Sequence, residues 1–362
     1  MSTPILLLVC LCVMSSAFGA AAPAASTARP VRSRAEVESL INKEGTSAPP
    51  WWNSVKVDPP KTLDLTWAKP APKEPWTPSK YLGQHIWSVV NENPGRWKYG
   101  AKLLHQTLEI NKADPDKLTQ SMRALASLYH NLLEDYARSA FWYRKAGANG
   151  EDNVNLADCY WKLGCKEMAA ELLKKIGADD TRHGAVIKLW ADMGEFDMAL
   201  KLADAKAKDG MADIAWLMAG DACRFAGRSK EALDYYARVL KVADADGGRD
   251  IKQSRERAKA SIDAVKVFDL LDLKKIADGT YSSSSYGYSG QVNVSVVVKA
   301  SRIQAVNIGA HQEKQYYGSI TDTPRQIIAR QHVKGVDTFS SATITSEAII
   351  NAAAKALSSG MK

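Results

Sequence analysis

The sequence predicts an α plus α+β protein, with a helical-repeat domain over residues 81–273 followed by a small α+β domain over residues 274–362. Two observations support this division. Between residues 81 and 273 apolar residues recur at spacings of three and four, which is typical of amphipathic helices. After Ala277-Asp278-Gly279 the spacing changes to two, which is typical of strands. At 362 residues the chain is long enough for two such domains.

A glycine followed five residues later by an alanine recurs through the helical region. The pairs are Gly164 and Ala169, Gly194 and Ala199, and Gly227 and Ala232, with a weaker copy at Leu132 and Ala137. Successive alanines are 32, 30 and 33 residues apart. Glycine supplies a turn conformation that other residues resist, and alanine lets two helices approach closely. Each repeat therefore predicts a helix, a turn at glycine and a second helix.

This period resembles that of tetratricopeptide repeats, although the Trp and Pro positions of that consensus are mostly missing. The resemblance implies a stack of helical hairpins with a concave surface that docks a partner protein. The alternative is that the helices form only a rigid spacer. The sequence indicates no ligand for the repeats.

Residues 1–22 have the pattern of a secretory signal peptide, because the short apolar run at residues 5–13 precedes small residues. No Lys or Arg precedes the run, and an uncleaved membrane anchor is the alternative. We therefore predict an exported protein, periplasmic or extracellular, with membrane association left open. Beyond this segment Cys159, Cys165 and Cys223 fall on apolar helical faces, which predicts buried thiols rather than a metal site.

Residues 23–80 are predicted to form an extended linker, because proline at this density prevents helices and central strands. Four tryptophans interrupt the segment, namely Trp51, Trp52, Trp67 and Trp76. They predict partial docking on a folded neighbour, with the indole rings as anchors. A disordered tether is the alternative.

Two strands and two helices are predicted after the opening of the C-terminal domain. Apolar and polar residues alternate over residues 291–298, and a return strand is predicted over residues 302–308. The helices are predicted over residues 323–331 and 346–357. This order of elements is that of an α+β domain.

Small and hydroxyl residues crowd residues 337–346, immediately before the last predicted helix. Thr345 or Ser346 is the predicted N-cap, which puts Thr343 just outside the helix N-terminus. Unpaired N–H groups and the positive end of the helix dipole at such a terminus favour a phosphate. An ordinary capping segment has the same composition, so these residues alone do not define a site.

Residues 274–362 resemble the FMN-binding domain of a subunit of the sodium-translocating NADH:quinone oxidoreductase, of related membrane electron-transfer complexes and of the nitrous-oxide reductase regulator. The resemblance rests on Asp278-Gly279-Thr280-Tyr281, on the following hairpin, on residues 311–317 and on an Asp-x-x-Ser-Gly-Ala-Thr-x-Thr signature. The signature is matched by Asp337, Ser340, Ser341, Ala342, Thr343 and Thr345.

In that family the threonine after the alanine carries FMN through a phosphoester bond, which a dedicated flavin transferase forms outside the cytoplasm. The resemblance therefore implies covalent FMN on Thr343. The other signature residues are implied to bind the cofactor, namely Asp337, Ser340, Ser341, Ala342 and Thr345. Ser341 replaces the family's glycine, and serine is unfavourable where φ is positive. Non-covalent FMN and loss of the flavin are therefore alternatives.

Further candidate residues lie between the hairpin and the next helix. Tyr316 and Tyr317 are predicted to lie in a loop, where either ring can stack on isoalloxazine. His311 and Glu313 can tune the protonation of the flavin. The alternative is a surface loop with one core tyrosine.

The formal net charge of +8 is modest for this length and spread along the chain, so it does not predict a nucleic-acid groove. No hydrolase motif or dinucleotide fingerprint is present. The favoured hypothesis is an exported flavoprotein that carries electrons between redox partners, one of which can be a membrane complex. A repeat-based protein-binding adaptor with a degenerate or non-covalent FMN domain is the second hypothesis. Binding to an anionic cell-surface polymer is the third.

Overall fold

The computed structural model describes residues 30–58, 65, 76–77, 81–176, 184–243, 251–314 and 318–361. The described residues that precede the sheet are organised as helices joined by short turns. The helices are α1 (Arg34–Thr46), α2 (Leu82–His85), α3 (Trp97–Ile110), α4 (Pro115–Asn131), α5 (Tyr136–Lys145), α6 (Glu151–Lys162), α7 (Lys166–Lys175), α8 (Ala185–Asp192), α9 (Phe196–Lys206), α10 (Ala212–Phe225), α11 (Ser229–Leu240) and α12 (Lys252–Phe268).

Helices α4 to α11 form four successive hairpins, in each of which the first helix packs against the second. Gly164, Gly194 and Gly227 end the first helices of the last three hairpins with φ angles of 101°, 80° and 75°. These angles lie in the left-handed region that glycine adopts most readily, which is why each first helix stops there. The alanine five residues later is buried in each case. The predicted helical repeats are confirmed.

The prediction of an extended linker is wrong for residues 34–46, which form α1. The prolines of this region are concentrated from Pro49 onward, so none interrupts the helix. Ser33 and Glu36 form a reciprocal capping box at its start, which satisfies two backbone N–H groups. The buried face of α1 packs against α5. The helix therefore belongs to the repeat array.

The segment after α1 lies along α3. Lys102 of α3 places its Nζ 5.0 Å from the centre of the Trp52 ring and donates to the Trp52 carbonyl at 2.8 Å. The His105 ring meets the same indole edge to face at 5.0 Å. Trp52 therefore contacts a folded helix. The predicted signal peptide at residues 1–22, most of residues 59–80 and Trp67 lie outside the described residues.

The α+β domain contains a three-stranded antiparallel sheet in the order β1, β2, β3. Its strands are β1 (Gly279–Tyr286), β2 (Gln291–Lys299) and β3 (Arg302–Ile308). The predicted alternation is observed in β2, which buries Val292, Val294, Val296 and Val298. Ala300 and Ser301 join β2 to β3 with φ angles of 51° and 56°, as in a two-residue hairpin turn.

Two helices follow the sheet, α13 (Ser319–Arg330) and α14 (Thr343–Ser359). Helix α14 packs on β1 and β2 with one side and on α12 with the other. The Asn351 amide of α14 donates to the Ser261 hydroxyl of α12 at 3.0 Å. Helix α14 is therefore buried between the sheet and the repeats, and the predicted α plus α+β fold is confirmed.

The apolar core is continuous from α1 through the hairpins into the sheet. A short 3₁₀ turn at Leu273–Lys275 separates α12 from β1. The domain boundary near residue 273 stays a prediction, but packing across it is extensive. Within the described ranges no helix combines the length and the apolarity needed to cross a membrane.

A buried ion pair joins the two parts of the chain. Arg224 of α10 donates to Glu347 of α14 at 2.6 Å, and the two side chains are 1% and 5% exposed. Arg224 also faces the Val336 carbonyl at 3.5 Å. Removing one member of such a pair leaves a charge without compensation in a low-dielectric interior.

We expect Arg224→Met to lower the free energy of unfolding by about 1–3 kcal/mol, because it leaves the buried Glu347 carboxyl without its hydrogen-bond donor. Arg228→Met is the matched control, because Arg228 pairs with Glu231 on the surface with side chains 33% and 45% exposed. Urea unfolding followed by circular dichroism measures both. Equal effects of the two substitutions would contradict an energetic role for the buried pair.

Candidate functional site

The signature segment forms a 3₁₀ turn at Ser340–Ala342 that leads directly into α14. Helix α14 begins at Thr343, so the prediction that Thr345 or Ser346 is its N-cap is wrong. The reason is that the Ser346 hydroxyl accepts the Phe339 N–H at 3.1 Å and so folds the turn back onto the helix. The first turn of the helix is thereby extended toward the signature residues.

Thr343 is the first residue of α14 and is half-buried. Its hydroxyl lies 3.3 Å from the Phe339 carbonyl and 3.2 Å from the Ser340 carbonyl, and it donates to them. The residue before it, Ala342, provides no side-chain cap. The N–H groups of the first turn are therefore left for an anion, which the helix dipole also favours.

Ser341 stands where the resembled family has glycine, and its backbone is not strained. It is not among the described residues with a positive φ angle. Its hydroxyl donates to the amide oxygen of Asn131 in α4. The reason to expect poor tolerance of serine at this position therefore does not apply to the conformation observed.

Glu313 joins the turn between β1 and β2 to α14. Its buried carboxylate accepts the N–H groups of Tyr288 at 3.1 Å and Ser289 at 2.8 Å, and it accepts the Thr345 hydroxyl. A Cβ atom at Gly287 would lie 2.6 Å from Glu313 Oε1, so glycine is needed there for this approach. Glu313 is therefore a structural organiser of the site.

Each first helix of the four hairpins supplies one polar side chain to the signature segment or to the start of α14 that follows it. Asn131 of α4 bonds Ser341, Asp158 of α6 bonds Ser340 at 3.4 Å, Lys188 of α8 bonds Asp337 at 3.1 Å, and Arg224 of α10 bonds Glu347 at 2.6 Å. The repeats therefore hold this chain's own signature segment on the face formed by their first helices.

Asp158 is fixed for its contact with Ser340 by a buried histidine. His130 Nε2 lies 2.8 Å from one Asp158 oxygen, and His130 Nδ1 lies 2.7 Å from the Asn131 amide oxygen. Burial acts to raise the pKa of Asp158, but Lys162 and His130 outweigh it and hold this pKa well below its usual range. The ionised carboxylate accepts the Ser340 hydroxyl.

Two cavities meet at Thr343. The outer cavity has a volume of about 230 Å³ and is lined by Ala185, Met218, Tyr288, Glu313 and residues 340–345. The inner cavity has a volume of about 30 Å³, with room for roughly two waters. Its charged lining residues are Lys188, Asp192, Asp221, Arg224, Asp337 and Glu347. Ala185, Met218 and Thr343 border both cavities.

The charged side chains that line the inner cavity form a cluster, and two of its carboxyl groups have raised pKa values. Burial and the neighbouring Asp337 raise the pKa of Asp192 to about 6, against the attraction of Lys188. Burial raises the pKa of Glu347 to about 7, with Asp221 adding to the shift and Arg224 opposing it. These two groups can therefore hold a proton near neutral pH.

The structure brings five predicted site residues together around the outer cavity, namely Ser340, Ser341, Ala342, Thr343 and Thr345. Asp337 lies in the inner cavity instead. Tyr316 and Tyr317 lie outside the described residues, so their role stays a prediction. His311 lines neither of these two cavities.

Sequence reasoning missed Tyr288 and the contribution of the repeats, Ala185 and Met218. The position of Tyr288 between two glycines in a hairpin turn was the one available signal. Cysteines 159, 165 and 223 are free and buried, which confirms the interpretation as core thiols. In the part of the chain that the structure describes, no three His, Cys, Asp or Glu residues cluster as metal ligands.

Comparison with known proteins finds similarity in the C-terminal part of the chain. Residues 287–358 match the family model described as the FMN-binding domain. An uncharacterized protein of Treponema pallidum (strain Nichols) is 35% identical over 85 residues, which are 23% of this chain and 23% of that protein. The chain thus spans about a quarter of the length of this relative. No solved structure matches the chain.

The family match confirms the resemblance derived from the signature and supports FMN as the ligand of the α+β domain. The residues present fit this ligand. A half-buried hydroxyl stands at an uncapped helix N-terminus, and an adjoining cavity leads away from it.

We expect Glu347→Gln to change the pH dependence of stability. A carboxyl group whose pKa is raised on folding contributes stability that is present below about pH 4.5 and is lost as the pH rises through about 7. Glutamine cannot titrate, so the stability of the variant relative to wild type should rise from pH 5 to pH 8, by on the order of 1 kcal/mol per pH unit below pH 7.

Urea unfolding at each pH measures this difference. Glu109→Gln is the control, because the Glu109 side chain is 80% exposed. Parallel stability curves for wild type and Glu347→Gln would show that the Glu347 carboxyl does not titrate between pH 5 and pH 8.

Proposed function

We propose that this protein is an exported electron-transfer flavoprotein that carries FMN on Thr343 through a phosphoester bond. The observation that carries the proposal is the position of the Thr343 hydroxyl, at the uncapped start of α14 and on the border of a cavity of about 230 Å³. The match of residues 287–358 to the FMN-binding domain supports the identity of the ligand. When bound, FMN supplies one-electron transfer through its isoalloxazine ring.

The residues of the chain position this attachment. The first N–H groups of α14 would hold the phosphate of a Thr343 ester, and the helix terminus would provide partial positive charge. Glu313 holds the β1–β2 turn beside that helix, which places Tyr288 at the mouth of the outer cavity. Tyr288 is 66% exposed, so its ring is available to a planar ligand.

The attachment needs a donor with a leaving group. The Thr343 oxygen loses its proton and forms the new bond to phosphorus, while the bond from phosphorus to the leaving group breaks. A flavin nucleotide activated as a pyrophosphate meets this requirement, and a flavin transferase is the partner that maturation needs. A covalent link keeps the flavin from being lost by dissociation in a dilute extracellular or periplasmic medium.

The redox partners are proteins or a membrane complex, and we propose that the repeats contribute to their docking. The first-helix face is largely occupied by the signature segment. A third cavity, of about 180 Å³, lies between α2 and α4 and is bordered by Trp87, which is 39% exposed. We propose this end of the array as the docking surface, because it joins a cavity to a partly exposed indole.

The competing function is an adaptor whose FMN domain is degenerate. Two observations argue against a degenerate FMN site. The Ser341 backbone is not strained, and the Glu313 contacts are intact. The presence or absence of flavin in protein exported in the presence of a flavin transferase separates the two functions.

Thr343→Val should abolish covalent flavin, because valine keeps the shape of threonine and removes the acceptor oxygen. Thr343→Ser should retain flavin, and Ser341→Gly should load at least as well as wild type. Each protein is co-produced with a flavin transferase, denatured and examined for flavin fluorescence on a gel. Thr321→Val is the matched control, because Thr321 is exposed on α13.

Circular dichroism and thermal melting confirm that the Thr343 variants remain folded. Equal fluorescence from wild type and Thr343→Val would refute attachment at this residue. Flavin mapped by mass spectrometry to Ser340, Ser341 or Thr345 would move the attachment to that residue.

Export predicts a processed N-terminus. The mature protein should begin between Gly19 and Thr27, in the small-residue zone that follows the apolar run. N-terminal sequencing of the protein recovered outside the cytoplasm measures this. Recovery in the cytoplasm with Met1 retained would contradict export and would also separate Thr343 from an external transferase.

A further inference from the structure

Thr343 lies beside the helical repeats and is half-buried. Two residues of the repeats, Ala185 of α8 and Met218 of α10, line both cavities that Thr343 borders. Met218 lies directly over α8, since a Cβ atom added at Gly184 would lie 1.4 Å from the Met218 sulfur. The absence of a side chain at Gly184 is therefore what lets Met218 reach the space beside Thr343.

The inner cavity does not suit a phosphate. The two cations in its lining, Lys188 and Arg224, are already paired with Asp337 and Glu347, so neither is free to bind a phosphate. Its volume of about 30 Å³ also leaves no room for a ring system.

The outer cavity is larger than the inner one and has a less charged lining. Its volume is about 230 Å³, and the one carboxylate in its lining, Glu313, is already saturated by two N–H groups and a hydroxyl. Tyr288 contributes an exposed aromatic ring from the α+β domain, and Met218 contributes a thioether from the repeats. Aromatic rings and thioethers pack well against a flat conjugated ring.

The two walls of this cavity are held in register by polar contacts that span the domains. Ser341 bonds Asn131, and Ser340 bonds Asp158, on the rim of the cavity. Lys188 bonds Asp337 behind it. The wall that carries Met218 is therefore fixed relative to Thr343.

We propose that the flavin site is composite, with the isoalloxazine ring enclosed between the β1–β2 turn of the α+β domain and Met218 of the repeats. This inference rests on the proposed attachment of FMN to Thr343. It assigns to the repeats a role in the flavin environment, in addition to any partner they bind. Met218 is then a positioning residue that shields the ring from water.

Met218→Trp tests the contact, because an indole that touches isoalloxazine quenches its fluorescence by electron transfer. Met198→Trp is the matched control, since Met198 is 43% exposed on α9 and lines neither cavity. Each full-length protein is loaded by a flavin transferase. Loading is measured on a denaturing gel, and fluorescence is then measured in the native protein. We expect a loss of native fluorescence per bound flavin in Met218→Trp alone.

Met218→Ala provides a second measurement that does not require a bulky side chain to fit. Iodide should quench the native flavin more strongly in Met218→Ala than in wild type or Met198→Ala, because the opened wall admits the ion. A shift of the flavin midpoint potential in Met218→Ala, absent in Met198→Ala, is expected with it.

The outcomes separate the two proposals. If loaded Met218 and Met198 variants behave alike in both measurements, the composite site is wrong while the covalent flavin stands. If wild type carries no flavin on the denaturing gel, the proposed function is wrong and the composite site falls with it.

Discussion

The structure depends on the ion pair between Arg224 and Glu347, because it fixes the last helix of the chain against the repeats. Both side chains are almost fully buried, and the helix that carries Glu347 begins with the candidate acceptor, Thr343. Charges taken out of water are tolerated only when their partners are well placed. The pair therefore favours one arrangement of the two domains over others, and the contact between Lys188 and Asp337 extends it along the signature segment.

This arrangement changes what the helical repeats do. Arrays of this kind commonly present an inner surface to another protein. Here the first helices of four hairpins contact the chain's own residues 336–347, through Asn131, Asp158, Lys188 and Arg224. The repeats act first as an intramolecular scaffold. With FMN on Thr343 as proposed, a redox partner would approach at the outer cavity, beside the exposed ring of Tyr288.

The sequence was sufficient for features that depend on local chemistry. The glycine turns of the hairpins, the alternation in β2 and the signature around Thr343 were predicted because each is encoded by residues close together in the chain. Helix α1 was missed because the prolines from Pro49 onward outweighed the proline-free stretch at residues 31–48, in which the helix lies. The capping box of Ser33 and Glu36 was the overlooked signal.

Features that depend on contacts between distant residues could not be predicted from the sequence. The start of α14 was placed too late because Ser346 bonds back to Phe339, and no rule of spacing distinguishes this from an N-cap. The docking of the signature on the repeats joins residues separated by 123 to 210 positions. Single polar residues at such separations carry no pattern that periodicity can detect. Tyr288 and Met218 reach the site only through that docking.

At Ser341 the local sequence motif and the contacts with distant residues lead to different expectations. Judged against the family motif, a serine in place of glycine counts against flavin attachment, because glycine tolerates conformations that serine resists. In the folded chain the φ angle at this position is not positive, so serine incurs no strain, and its hydroxyl gains a partner in Asn131 of α4. The motif alone therefore gives the wrong sign for this position, because the contact that favours serine comes from a helix about 210 residues away in the chain.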